Sequence, residues 1–280
     1  ELALKDKTVK SVTSMMPADT DSYDACYTAD DRIVFVNSSG YQGVPCVGGY
    51  DYVGNLHLLD RKSGKVRRLC FDQDNNWHPT LLANGRILFL RWEYTDSAHY
   101  FSRILMHMNP DGTDQKEYYG SNSYWPNSLF YAKPVPGSSS RFFGIVTGHH
   151  GVRRAGEIFK FDVNKGRKEA AGVIQELPGY KKPVDTPIID QLADRPNRGD
   201  PIRFAETRPL SEDYVLVTRE NGGIYLVDIF DNIVPIKLSD AYSYCEPIVL
   251  AKTTRPRAIP DRAIEGEKEA TAFISDIYKG

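Results

Sequence analysis

The strongest constraint on this chain is a layout that recurs along it. Residues 77–92 read WHPTLLANGRILFLRW: an aromatic, a polar residue, a proline, a short apolar run, a turn at Asn84-Gly85, then a second apolar run. Residues 23–36, YDACYTADDRIVFV, repeat it with the turn at Asp30-Asp31. A third run ending in turn formers follows as GNLHLLDRKSGK (54–65), RILMHMNPDGTD (103–114), GEIFKFDVNKGR (156–167) and GGIYLVDIFDN (222–232). A fourth follows twice, as VRRLCFD and QKEYYGS. Asn-Gly and Asp-Gly between alternating runs are hairpin signals.

The units open near Tyr23, Trp77, Tyr124, Ile202 and Tyr244, about 40 to 75 residues apart, a period typical of propeller blades. The third is lengthened around VPGSSS and by residues 168–200. Four short antiparallel strands per unit predict an all-β fold, a β-propeller of four-stranded blades. A β-sandwich is the rival, but it needs no common opening on every unit. Four to five blades are visible within residues 1–262, and residues 7–16 offer an outer strand for an upstream blade. Residues 263–280 form a polar tail, or the start of a further blade or downstream domain. A closed ring buries both faces of every blade. The missing blades therefore lie outside this stretch, or the ring closes with five. The start at Glu1, without Met or leader, suggests a processed or excised piece.

Composition narrows function. Lys plus Arg (35) nearly balances Asp plus Glu (37), so no basic field exists for nucleic acid. No apolar run approaches the roughly 18 residues of a membrane span. Cys26, Cys46, Cys70 and Cys245 are too widely spaced for a zinc knuckle, and no C-x-x-C-H haem attachment is present. Cys26 and Cys46 either pair in an oxidising compartment or stay as free thiols. The many tyrosines (17) and glycines (22) suit a sheet-rich extracytoplasmic protein.

The blocks GVPCVGGYDYVGNL, LRWEYTD, YFSRILMHMNPDGT, EYYGSNSYWPNS and GIVTGHHG, within residues 20 to 262, resemble a bacterial propeller family. That family is related to TolB-type propellers and to the middle domain of the hydrazine synthase alpha subunit. The resemblance implies a six-bladed propeller in an exported, periplasmic or secreted protein whose flanking regions often carry c-type haem. This chain departs from the haem-bearing pattern, so hydrazine synthesis is not carried over.

In a propeller the first strand of each blade lines the central channel. Aligning units on the aromatic-x-Pro opening makes Asp24, His78, Trp125, Glu206 and Glu246 equivalent. Asp24, His78, Glu206 and Glu246 then converge to hold a divalent cation or polar ligand, or line a water-filled channel. His149 and His150 occupy the loop between the second and third strands of the third unit, expected on the face away from the blade-to-blade connections. They meet one ligand only if the backbone turns at Gly148 and Gly151; otherwise they form a hairpin turn. Arg91, Glu93 and Tyr94 hold the analogous place in the second unit. With His99, Cys46 and Tyr52 they would surround one depression, giving His149, His150, Arg91 and Tyr94 as candidates for acid–base chemistry.

Ser102, Ser121 and Ser123 lack a Gly-x-Ser-x-Gly elbow, and no phosphate loop appears. NPDGTD and FDQDNN lack the twelfth-position Glu of a calcium loop and read as turns. Three functions follow. The first is a propeller module of a larger exported protein, a binding platform beside a c-type haem domain or partner. The second is a carbohydrate-active propeller such as a uronate lyase, with Trp77, Trp92 and Trp125 stacking on sugar rings of an oligosaccharide. The third is a non-catalytic scaffold. Whether the chain is an enzyme stays open among these.

Overall fold

A computed structural model describes residues 1–93, 103–121, 123, 125–148, 154–179, 203–219, 222–274 and 276–278. The chain forms sixteen strands among these residues, in four groups of four. The first sheet is β1 (Ser22–Tyr27), β2 (Ile33–Asn37), β3 (Asn55–Leu59) and β4 (Val66–Arg68). The second is β5 (Asn76–Leu81), β6 (Ile87–Trp92), β7 (Arg103–Met108) and β8 (Lys116–Tyr119). The third is β9 (Ser128–Pro134), β10 (Arg141–Thr147), β11 (Glu157–Asp162) and β12 (Val173–Leu177). The fourth is β13 (Phe204–Pro209), β14 (Tyr214–Arg219), β15 (Ile224–Asp228) and β16 (Ile233–Lys237).

Within each group neighbours pair antiparallel in chain order, and one parallel bridge, Arg103 to Ser128, links the second and third. The first strands lie side by side, β1 on β5, β5 on β9 and β9 on β13. The sheets therefore fan out from a line of inner strands, an arrangement like that of propeller blades.

The local chemistry explains the strands. Turns fall where left-handed backbone is needed: Gly85 (φ 84) closes β5–β6, and Gly112 (φ 87) closes β7–β8. Strand β2 (IVFVN) is apolar without alternation and buried on both faces, as expected of a strand sandwiched between packed layers. Between the first two sheets lie Val34, Val36, Leu56, Leu58, Ile87, Phe89 and Met108. A larger core joins the other three through Trp77, Trp125, Phe142, Phe161 and Val215.

Three expectations change. Residues 7–16 form no outer strand; Val12 and Met16 instead pack on Ile33, Phe35 and Leu59. The unit opening near Tyr244 forms no strand either; it is held beside the fourth sheet by the Tyr244 N–H on the Gly222 carbonyl (2.8 Å) and the Glu246 N–H on Glu206. Third, the β10–β11 connection leaves from the same end as the sheet-to-sheet connections. Thr147 closes β10 opposite Ser128, where the chain enters the third sheet. Antiparallel strands alternate direction, so every second loop returns to that end. His149 and His150 themselves lie outside the described residues, as do Tyr94 and His99.

The opposite end of the first two sheets carries the C-terminal segment. Asp261 accepts two hydrogen bonds from Arg32, at 2.8 and 2.7 Å, and Arg255 pairs with Asp31. Asp111, in the NPDGTD turn, accepts from the backbone N–H of Arg262 (2.6 Å) and Ala263 (2.9 Å). The Arg32–Asp261 contact is exposed, so Asp261→Ala should cost no more than about 1 kcal/mol in urea unfolding. A larger loss would show that the segment is part of the cooperative unit.

Candidate functional site

The inner strands share one backbone distortion. Asp24 (φ 48), His78 (φ 53), Tyr131 (φ 51) and Glu206 (φ 52) all adopt left-handed backbone inside β1, β5, β9 and β13. Each sits where the register with the next strand shifts. Glu246 (φ 47) takes the same conformation beyond the fourth sheet. Such backbone costs a side chain on the order of 1 kcal/mol or more. A bulge re-aims its side chain along the line of inner strands, so the five form one series.

The series corrects the alignment made from sequence. The third sheet contributes Tyr131, not Trp125, which is fully buried in the core. Trp125-Pro126 mimics the aromatic-x-Pro opening but lies in the connection before β9. The informative repeat was Tyr131-Ala-Lys133-Pro134 against Glu206-Thr-Arg208-Pro209: a bulge residue, a small residue, a base and a proline.

Two carboxylates in the series work as clasps between neighbours. Asp24 accepts the backbone N–H of His78 at 3.1 Å and faces His78 Nδ1 at 3.1 Å. Glu206 accepts the backbone N–H of Glu246 at 2.5 Å and the hydroxyl of Thr218 at 3.0 Å. Between these pairs, the Tyr131 ring packs on His78 at 4.3 Å, and Thr207 donates to the Tyr131 carbonyl at 2.6 Å.

Electrostatics follow from this packing. Burial keeps the His78 imidazole neutral, although Asp24 pulls the other way. Burial also penalises the Asp24 charge, yet the hydrogen bonds from His78 outweigh it and hold its carboxyl below the ordinary range. The carboxylate partner places the proton on Nδ1 and leaves Nε2 as a lone pair. That atom is buried and without a hydrogen-bond partner. Burial, then the Asp24 and Glu206 charges, raises Glu246. Lys133, two residues past Tyr131, is pushed down by burial. At the connection end, Arg154 stacks over Trp77 at 4.6 Å.

Asp24→Asn should lower stability by about 1–2 kcal/mol through a weakened charge-assisted bond. It should also lower the His78 pKa further, read by NMR titration. An unchanged imidazole titration would mean that Asp24 does not orient it.

The four residues expected to hold a cation are brought together as two pairs, Asp24 with His78 and Glu206 with Glu246. Among the described residues no three His, Cys, Asp or Glu side chains gather as a metal cage. Arg91 is buried and binds Asn76 Oδ1 (3.3 Å), Asp72 (3.2 Å) and Gln115, tying the entry of β5 to the β7–β8 turn. Trp77, Trp92 and Trp125 are 5%, 5% and 0% exposed and offer no face to a sugar, because their rings complete the core. Cys26 and Cys46 are not joined to each other and pack against separate cores. Burial pushes the Cys26 thiol up to about 12.

Fanned four-stranded sheets with a series of polar bulge residues along their inner strands place this chain in the propeller class. The comparisons agree. The fold is similar to hydrazine synthase from Kuenenia stuttgartiensis, with a TM-score of 0.62 and 15% identity over 82% of this chain. The chain spans 30% of the hydrazine synthase chain it matches. More distantly, it is similar to TolB from Acinetobacter baumannii (TM-score 0.46, 10% identity, 84% of this chain and 47% of that one). It is also similar to oligogalacturonate lyase from Vibrio parahaemolyticus (0.45, 12%, 80% and 55%). No protein-family model and no curated protein sequence matches the chain. At 15% identity the shared feature is the fold alone. Among the described residues, no helix is long and apolar enough to cross a membrane.

Proposed function

We propose that this chain is a propeller module of a larger exported protein, and that the ring at its inner strands is a platform for a polar ligand beside a c-type haem domain or partner. The observation that carries the reading is the series Asp24, His78, Tyr131, Glu206 and Glu246. Five strained non-glycine residues at one structural position are retained where a site is built, since each costs stability. The fold's likeness to part of a hydrazine synthase chain supports the module reading, and the absence of C-x-x-C-H from the sequence puts any covalent haem on another segment or protein.

Affinity capture from the periplasmic fraction of the source cell, with haem staining of what is retained, tests the partner. Capture of a c-type cytochrome that is lost in His78→Ala and Glu246→Ala together supports the platform. Retention of no haem protein sinks the redox half of the reading. Metal analysis of the purified protein decides the cation alternative at His78 and Glu246.

A further inference from the structure

A serine and a histidine meet on the first sheet, away from the inner strands. Phe35, His57 and Arg68 oppose one another in register across β2, β3 and β4, so their side chains share one face. His57 is 4% exposed and lies against the Phe35 ring at 5.8 Å. Its Nδ1 is 2.9 Å from the Asn55 carbonyl oxygen. A carbonyl only accepts, so the ring proton sits on Nδ1 and Nε2 keeps its lone pair. Nε2 is 3.4 Å from the hydroxyl oxygen of Ser39, a reach usual for a nucleophile and its base before substrate tightens the contact. Burial, then the Arg68 charge, lowers the His57 pKa, so the imidazole is a free base at neutral pH.

Donors border the hydroxyl. The N–H of Gly40, the residue after Ser39, has no acceptor among the described residues. The N–H at this position in serine hydrolases receives the charge of the tetrahedral intermediate. Arg68 gives its Nε–H to the Cys70 carbonyl at 2.7 Å, and its terminal amino groups have no acceptor among the described residues. The guanidinium lies over Gly40, where an added Cβ would stand 3.0 Å from Nη1. Its carbon is also 5.0 Å from the centre of the Phe71 ring, and Phe71 is 74% exposed. Ser39 is half-buried and Gly40 exposed, so a substrate can reach both.

We propose that Ser39 is the nucleophile of an acyl-transfer site, with His57 as its base, the Asn55 carbonyl orienting that base, and Gly40 N–H and Arg68 as oxyanion donors. The substrate class is a carboxylic ester with a short apolar acyl chain, which Phe71 would cover. Ser39 Oγ bonds to the acyl carbon as its proton passes to His57 Nε2, and the alcohol leaves with that proton. Water then adds to the acyl carbon and gives a proton to Nε2, and Ser39 Oγ leaves with it as the acid is released. The site is built on β2, β3 and β4 and does not depend on the platform at the inner strands.

A fluorophosphonate, which phosphonylates an activated serine and releases fluoride, is the probe on the full chain, with p-nitrophenyl butyrate as the ester. Mass spectrometry should place the adduct on the peptide that carries Ser39. Ser39→Ala, at a half-buried position, should fold, take no label and lose ester hydrolysis. His57→Gln should slow hydrolysis about 100-fold. The wild-type labelling rate should rise with pH and level off below 6.5, the ordinary histidine value, because burial lowers His57. That profile decides the role of the base even if His57→Gln fails to fold. The proposal is overturned by an adduct elsewhere or none, by hydrolysis that survives Ser39→Ala, by a folded His57→Gln that reacts at the wild-type rate, or by labelling that still climbs well above pH 6.5.

Discussion

Trp125→Ala should cost about 3–5 kcal/mol of unfolding free energy and lower the melting temperature by about 10 °C. The indole is fully buried, edge-on to Phe159 at 5.3 Å and tilted against Phe161 at 6.1 Å. Phe161 in turn stacks on Phe142 at 4.8 Å and meets the Tyr119 edge at 4.9 Å. Removing the indole opens a cavity bounded by rigid rings, which cannot collapse to fill it. Urea unfolding measures the loss. A cost below about 1 kcal/mol would mean that the third sheet does not close over this residue as described.

Asp74 should produce the opposite effect. It is 0% exposed, and neither carboxylate oxygen has a hydrogen-bond partner. Burial pushes its pKa up to about 6 from 3.8, with the Arg103 charge pulling the other way. For an acid raised on folding, the folded state holds the proton more tightly than the unfolded chain. Stability from this group is therefore greatest below pH 4, falls as pH rises to about 6, and stays low above that. At ~1.4 kcal/mol per pH unit the full difference is roughly 3 kcal/mol. Asp74→Asn should remove that slope and stabilise the protein at pH 7 by about 1–2 kcal/mol, because the amide's own donors still need partners. Unfolding curves for both proteins at pH 4, 5, 6 and 7 decide it. A wild-type curve that rises with pH, or an unchanged slope in the variant, would place a counter-charge beside Asp74.

The difference between Trp125 and Tyr131 shows how far the residues could be read unaided. Both follow an apolar or polar run with a proline nearby, and a pattern of three letters does not say which proline opens a strand. Ser128 pairing with Thr147 decides it, and that contact joins residues far apart in sequence. The shared backbone position of Asp24, His78, Glu206 and Glu246 was legible because each follows its unit's opening. Their clasping role was not, since a carboxylate shows its donor only when the next sheet is in place. Lys133 was missed for the same reason. A lysine in a strand looks solvated until neighbouring sheets cover it. The face carrying the β10–β11 connection was misassigned although strand direction alone decides it.

What the amino-acid sequence determined by itself was local: the inner three strands of the units follow from apolar runs, and their hairpins from Asn-Gly, Asp-Gly and Asp-rich turns, while the outer strands β12 and β16 were not read from it. Those choices depend on backbone sterics and on neighbours a few residues away. Only the tertiary structure decided which side chains meet: Tyr131 against His78, Asp24 as a clasp, the C-terminal segment on Asp111. Those meetings depend on how separately formed sheets pack, and packing is set by all their faces together, not by any one stretch of chain.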